Sequence, residues 1–517
     1  MANIRLATKP KPEAAPHPKI SLKGESYWDL VFRQFRRNRL AVVSLIFVVI
    51  LFFIAIAAPF LANSRPILLR GSFRTLYQER FEEWKLGGHP EMVSLLQKVQ
   101  AASERVAAPE LGARLGTVRR QIEFLATQLP DDQARRLREY LRDYEQAAVS
   151  ATAGQQAQLP AQLDKLAANF QEISRQFDPA TVPFAEKLYW PVLSALTPVD
   201  IFFMTLAAMV LLLPLIRLLL PPRWKESWKT QVLLVILPAI FFAVLRTGRT
   251  AVFETLDYKD QFLSGGIEAS LALFPPIAYG INEDHLEDKY QGPSARYWIG
   301  TDGNGRDLLA RMIWGSRISL SVGFVAVAIY VSIGILVGTI AGYFRGWVDM
   351  ALSRVIEIII CFPAFFLILA VLAFLQPSIL NIMIVIGITG WTTEARLVRG
   401  EFLRLADQEF VLAAKGLGVS DWRIIFRHIL PNGLAPLLVA ASFGVASAIL
   451  IESSLSFLGF GISIPVPSWG GILNEARENF RYWWITLFPG LAIFTTVTAY
   501  NLVGEGVRDA IDPRLKI

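Results

Sequence analysis

The side chains best suited to bind a metal are four histidines, one cysteine and the carboxylates. His17, His89, His285 and His428 are too scattered to form a ligand cluster, and the chain holds no HExxH pattern. A lone Cys361 allows neither an internal disulfide nor a cysteine-based zinc site. Gly300, four residues, Gly305 and then a basic residue imitate a phosphate-binding loop. Arg306, however, stands where lysine is needed, and Asp307 puts a carboxylate in place of the magnesium-binding hydroxyl. No metal, no catalytic constellation and no cofactor bound by this chain are therefore expected. Asp302, Arg306 and Asp307 are read instead as an irregular lip or gate above a membrane pathway, the alternative being a simple cap on the following helix. Glu452 completes a helical stripe with Ala440, Gly444 and Ala448, on a face turned into a helix bundle. An ionisable group there is costly unless hydrated or paired, so Glu452 is either a lining residue of a path or a brace for the turn at Ser453 and Ser454. Glu357, three residues after Arg354, reads as half of a local ion pair.

The stretch from Glu409 to Asn432 reads as helix, break, helix. Gly416 and Gly418 end the first segment, Ser420 caps the second with Asp421 at its positive end, and Pro431 closes it. Ala413, Ala414 and Gly418 leave one surface slim enough for another protein's groove. Leu417 offers an apolar plug, with Lys415 and Arg423 as a charged rim. Such an elbow between two spans can transmit a push.

The elements that position these residues belong in a membrane. Of 517 residues 53% are hydrophobic and 18% charged, where a soluble domain carries about a quarter charged, and the mean hydropathy is +0.41. The +7 net charge sits mostly in short stretches beside apolar runs rather than in a nucleic-acid patch. Apolar runs at 40–61, 201–220, 231–245, 318–343, 355–374, 379–391, 434–457 and 485–503 predict an all-α polytopic protein with about eight spanning helices. Residues 1–39 form a basic segment, with Lys9, Lys11, Arg36 and Arg37 among others, and 40–62 the first span. The positive-inside rule keeps both termini, Arg345 and the loop at 405–432 in the cytoplasm. Phe480, Tyr482, Trp483 and Trp484 form an aromatic belt at the opposite end of the last span. Residues 63–198 carry heptad-like stripes, such as Leu111, Leu115, Val118, Ile122, Leu125 and Leu129, broken at Pro130 and at Ala153-Gly154-Gln155. They predict an extracytoplasmic helical insert, an antiparallel bundle or set of hairpins, packed on itself or serving as a docking arm. An extra membrane hairpin at 199–246 follows, turning at Arg223 and Lys225, with Arg249 beyond it. A segment at 247–317 holds the Gly300 motif, and 318–517 forms the main membrane core. There Gly334, Gly338 and Gly342 recur every fourth residue for close helix packing.

The elbow resembles the EAA loop of ABC importer permeases: Ala413-Ala414, three residues, Gly418, eleven residues, then Leu430-Pro431, with Leu412 and His428 in slots where Glu and Ile are usual. Glu409-Phe410-Val411 and Arg427 to Asn432 are similar to the oligopeptide and dipeptide branch, C-type subunits. So are 300–320, 452–461 with 467–470, and the tail 501–514, where Glu505 replaces a commoner Asp. The resemblance covers 22–62 and 295–517 and leaves 63–294 unmatched. It implies a type I importer permease core in the bacterial inner membrane, with the insert in the periplasm. It further implies half of a translocation pathway for peptides, completed by a homologous permease as a heterodimer. Two ATP-binding cassette ATPase domains, carrying ATP and magnesium, would engage Glu409, Ala413 to Gly418, Ser420, Asp421 and Arg423. A periplasmic binding protein would deliver cargo, membrane lipid would surround the spans, and no nucleic acid is involved. The competing reading is a membrane sensor or scaffold whose insert binds partners. An ion channel fits less well, because no span carries regularly spaced charges or a filter-like loop.

Overall fold

The computed structural model describes residues 27–102, 108–152, 158–219, 228–247, 258–462, 466–477 and 479–511. The basic leader before Tyr27, the break at Ala153-Gly154-Gln155, the hairpin turn with Arg223 and Lys225, Arg249 and the tail beyond Ile511 lie outside them.

Helix α1 (Tyr27–Arg37) carries Arg36 and Arg37 in its last turn, and α2 (Arg39–Leu61) follows at once. Asn38 caps α2, its side chain accepting from the amide of Ala41 at 3.1 Å. No charge interrupts α2 after Arg39, and at roughly 1.5 Å per residue it is long enough to cross a bilayer.

Beyond α2 the chain forms the insert: β1 (Leu68–Ser72), α3 (Arg74–Glu83), α4 (His89–Ala102), α5 (Ala108–Thr127), α6 (Asp131–Thr152), α7 (Leu159–Gln176), β2 (Lys187–Tyr189) and α8 (Pro191–Ala195). Leu111, Val118, Ile122, Leu125 and Leu129 enter one apolar core with Tyr77, Trp84, Tyr140 and Tyr144. The helical hairpin α9 (Pro198–Leu219) and α10 (Trp228–Arg246) comes next, then α11 (Tyr258–Leu263) and β3 (Glu268–Leu273).

Here the structure departs from the boundaries read from sequence. Strand β1 is central in a three-stranded antiparallel sheet of order β2-β1-β3. Tyr258 and Ile267 join the insert's core, so the insert does not end at 198 but resumes after the hairpin. Strands of three to six residues paired across long separations carry no local signal. At the sheet's base, Ile277 bridges Ala62 at the end of α2.

The main core consists of α12 (Leu308–Phe344), the pair α13 (Gly346–Ile360) and α14 (Ala364–Leu372), α15 (Ile379–Leu405), α16 (Glu409–Gly416), α17 (Leu430–Phe457), α18 (Trp469–Ala476) and α19 (Trp483–Ile511). Among the described residues four helices are long and apolar enough to span: α2, α12, Asp421–Phe457 and α19. A fifth span arises if α13 and α14, bent by 77°, count as one. The other three runs of the expected eight are helical but fall short: α9 and α10 have apolar parts of only 10–17 residues. α15 turns polar after Trp391, with Glu394, Arg396, Arg399, Glu401 and Arg404 in its second half.

Among the described residues, helices α12 and α15 make the most extensive contact in the molecule. A Cβ on Gly334 would lie 2.6 Å from Glu394 Cβ, on Gly338 2.5 Å from the Ala395 carbonyl, and on Gly342 2.6 Å from Phe402 Cβ. The three glycines therefore fix the spacing of the two backbones. Replacing Gly338 with leucine is expected to cost about 1–3 kcal/mol or more through overpacking and to lower the melting temperature of the purified protein. Gly400→Ala on α15, where a Cβ meets nothing within 4 Å, should leave it level or slightly higher.

Within the insert His89 is 8% exposed and stacks on Phe170 with ring centroids 3.5 Å apart, its Nδ1 2.5 Å from the Tyr144 hydroxyl. Burial lowers its pKa from 6.5 to about 4. An unfolded His89 takes up a proton near pH 6.5 and the folded one does not until about pH 4. Stability is thus fully present above 6.5 and falls across that window, by an amount on the order of 3 kcal/mol. Thermal unfolding as a function of pH should show this acid sensitivity, and His89→Phe, which keeps the stack, should flatten it.

Candidate functional site

The elbow hangs between α15 and α17. Gly418 turns the chain at φ +75°, a left-handed conformation that favours glycine. Gly416 lies inside α16, and a Cβ added to either glycine would meet nothing within 4 Å. Glu409 opens α16. Ser420 occupies the next helix's cap position, but its side chain makes no capping bond; its carbonyl accepts from Arg423 and Ile424 instead. Leu417 is 84% exposed, and Ala413, Lys415, Gly418, Asp421 and Arg423 are exposed around it. Ala414, expected on the slim outer surface, is buried against Val411, Ile424, Ile425 and Ile429. The elbow needs its own apolar core to stay rigid, and one residue of the alanine pair serves it.

Pro431 does not close the second helix. The turn Asp421–Arg423 runs through a π-helical stretch, Ile424–Ile429, straight into α17, with Pro431 in the first turn. Proline has no N–H and crowds the carbonyl four residues before it. The wider π turn accommodates that defect, and the Asn432 side chain donates to the His428 carbonyl at 2.7 Å. The elbow's second arm and the spanning helix are thus one continuous rod.

The end of α12 grips this rod. The Tyr343 hydroxyl donates to Asp421 at 2.6 Å, and Lys415 Nζ sits 4.7 Å over the Tyr343 ring. Arg345 donates to Asp407 at 2.8 Å and to the Leu403 carbonyl at 3.0 Å; that hydrogen bond holds the Asp407 carboxyl below its usual range.

On the insert's side, the loop 300–307 is tightly hydrogen-bonded. Gly300 and Gly305 take positive φ, and a Cβ on Gly305 would collide with the His285 carbonyl. Asp302 is fully buried, accepting from the amides of Asn304 and Arg306, from Arg306 Nε at 2.8 Å and from Arg311. Arg311 reaches Glu475 of α18 with both nitrogens, at 2.6 and 2.7 Å, and Arg306 joins at 3.2 Å. Asp307, 2% exposed, caps α12 through the Ala310 amide at 2.6 Å; burial pushes its carboxyl up to about 6. Charges taken out of water need such full pairing. Of the three, Arg306 borders a cleft, of about 660 Å³, with Tyr290, Asn304, Glu475 and Arg477.

Glu452 is packed between α17 and α12 with serines around its carboxylate. Fully buried, it accepts from Ser456 at 2.8 Å, Ser319 at 3.1 Å and Ser453 at 3.4 Å. Ser454 turns away to the Leu450 carbonyl. Glu452 holds α17 against α12, and Trp469, the first residue of α18, donates its amide to Ser319 at 3.4 Å.

The sequence pointed to none of Tyr343, Asp407, Glu475 or the partly buried ion pair between Asp200 of α9 and Arg317 of α12. A carboxylate at the head of a largely apolar helix was the one available signal for Asp200.

Glu475→Gln should leave Arg311 with Asp302 as its remaining carboxylate partner and lower the thermal stability of the purified protein, a loss on the order of 1–3 kcal/mol. Glu452→Gln keeps hydrogen bonding to the serines and should transport normally, whereas Glu452→Leu should lose stability. Uptake abolished by Glu452→Gln with stability intact would instead make the carboxylate itself functional.

The family described as binding-protein-dependent transport system inner membrane component matches residues 334–517. The N-terminal transmembrane domain of oligopeptide transport permease C matches 26–72. A dipeptide transport system permease protein of Alkalihalophilus pseudofirmus is 43% identical over 48% of this chain and 82% of its own length. A glutathione transport system permease protein of Pectobacterium atrosepticum is 35% identical over 56% of this chain and 99% of its own length. A glutathione transport system permease protein of Escherichia coli is 43% identical over 44% and 75%. The solved methionine ABC transporter MetNI, in inward-facing form, matches 40% of this chain and 96% of its own at 16% identity and a TM-score of 0.34, too distant to define the fold. The chain belongs to the binding-protein-dependent transport system inner membrane component family and is a multi-pass permease subunit of an ABC importer.

Proposed function

We propose that this chain forms half of a pathway for short peptides and couples it to ATP hydrolysed by other subunits. The relatives named above are permeases for dipeptides and glutathione, which supports a peptide or peptide-like cargo. A second, homologous permease completes the pathway, two ATPase domains carrying ATP and magnesium sit at the elbow, and a binding protein delivers cargo on the insert's side. The elbow and both termini face the cytoplasm and the insert faces the periplasm, an orientation supported by the basic residues on the elbow's side, Arg36, Arg37, Arg404 and Arg427.

The observation that carries this reading is the elbow's continuity with α17, with an exposed Leu417 at its tip. A partner that moves Leu417 moves a spanning helix, because Val411 and Ala414 before the Gly418 turn pack on Ile424, Ile425 and Ile429 of the stretch that runs into α17. The Tyr343 and Arg345 contacts pass the same motion to α12. Leu417→Asp and Gly418→Asp should therefore leave the chain inserted and paired with its partner permease while abolishing both ATPase association and uptake. Ala414 is the wrong probe, since a bulky side chain there disrupts the elbow's own core. Normal uptake by Leu417→Asp would sink the assignment of the elbow.

A sensor or scaffold role is the second reading, favoured by the insert's separate apolar core and by the lack of a family match across 73–333. Ser72 and Glu186 flank the paired residues Gly71 and Lys187, so residues 73–185 can be replaced by an Asn-Gly hairpin turn. Under the importer reading that deletion keeps association with the permease and ATPase partners. Loss of that association would favour the scaffold.

A further inference from the structure

The sheet has one face packed on the insert's core and one face open. Leu69 and Tyr189 point inward to that core. Across the strands from Arg70 lie Leu188 on β2 and Leu271 on β3, and Leu273 pairs with Leu68. Leu188, Leu271 and Leu273 are 54%, 51% and 54% exposed. A soluble sheet normally gives such a face to polar residues.

These side chains are not spread evenly. The end of the sheet at Leu68 and Leu273 is the end nearest the membrane. There the Ile67 amide donates to the Leu273 carbonyl, and Ile277, four residues on, exchanges hydrogen bonds with Leu61 and Asn63 at the end of α2. At about 3.3 Å per residue, Leu273 lies within roughly 13 Å of that helix end. At the opposite end the exposed groups are charged: Glu268 with Arg74, and Glu186, with which the Arg70 side chain pairs from its position between Leu188 and Leu271. Apolar near the membrane and charged away from it is the gradient of a surface that sits at a lipid boundary.

Two further features continue it. Trp190, 47% exposed, follows β2 directly, and Leu193 of α8, 43% exposed, comes next. Leu193 and Leu196 then form one wall of an apolar groove of about 580 Å³, whose other walls are Ile201 and Met204 of α9 and Phe242 and Leu245 of α10. The groove opens beside the ends of two membrane-embedded helices, and its size falls in the range of small-molecule sites, roughly 300–1,000 Å³.

We propose that this continuous strip, the open sheet face, Trp190, α8 and the groove below it, is a lipid-docking surface. Phospholipid acyl chains of the adjacent leaflet cover Leu188, Leu271, Leu273 and Leu193 and enter the groove, so the insert rests on the bilayer instead of standing clear of it. The continuity with α2, α9 and α10 selects lipid over a soluble partner.

The test uses the full chain with its single cysteine, Cys361, replaced by serine. Cysteine is then introduced singly at Leu188, Leu271, Leu273 or Leu193, with Leu86 of the helical bundle, 74% exposed, and Glu268 as reference sites. Each is spin-labelled and reconstituted into nanodiscs of phosphatidylethanolamine with phosphatidylglycerol as the minor component. All these side chains are already exposed, so the labels do not disturb packing. At the four strip positions, collision with a water-soluble nickel chelate should be several-fold lower than at Leu86, and collision with oxygen higher. Glu268 should behave like Leu86. Nickel accessibility at Leu271 and Leu273 equal to that at Leu86 would overturn the proposal by placing the face in water. Low accessibility to both reagents would overturn it equally, by showing a protein cover.

Discussion

The backbone contact between α12 and α15 is the constraint from which the membrane core follows. Three glycines one helical turn apart let the two helices approach until Cβ-free positions meet Glu394, Ala395, Val398 and Phe402. Because the contact continues to Gly342, the last turn of α12 arrives beside the last turn of α15. Tyr343 and Arg345 are thereby delivered to the elbow, where their bonds to Asp421, Asp407 and the Leu403 carbonyl define its angle. A looser pair of helices would leave the same residues without partners.

At the other end of α12 the same helix is held by charge. Asp307 caps it, Arg311 ties it to Glu475, Ser319 ties it to Glu452, and Arg317 ties it to Asp200. α12 is thus the shared member of nearly every junction: with the elbow, with α17 and α18, with the extra hairpin, and through Trp314, whose indole donates to the Ala62 carbonyl, with the foot of the insert. The insert is consequently fastened to the same helix that the elbow's contacts reach.

The membrane character, the helical nature of every apolar run and the elbow's two-helix form were legible in sequence because each rests on a local pattern: uninterrupted apolar length, a glycine at a forced turn, a small-residue pair. The stripes of 111–177 were legible for the same reason. What local pattern could not carry was partnership. The ion pairs of Asp302, Arg306 and Arg311 have no signature in the Gly300 motif, because Glu475 lies far along the chain. The hydrogen bond of Glu452 to Ser319, more than a hundred residues earlier, has none either. Pro431 looked like a stop because the π-helical stretch that absorbs it has no sequence signature. The sheet was missed entirely, its strands being too short to show a period.

That sheet also imposes an order on biosynthesis. Strand β1 emerges directly after α2, but its long-range partner β3 follows only about 200 residues later, after the bundle and the whole hairpin have been made. At roughly 5–20 residues per second this interval is on the order of 10–40 s, during which one edge of β1 is an open template for any other strand. The hairpin α9–α10 is made within the same interval, because it lies between the two strands in the chain. Completion of the sheet therefore waits on the hairpin, and a delay there would appear as aggregation of the insert.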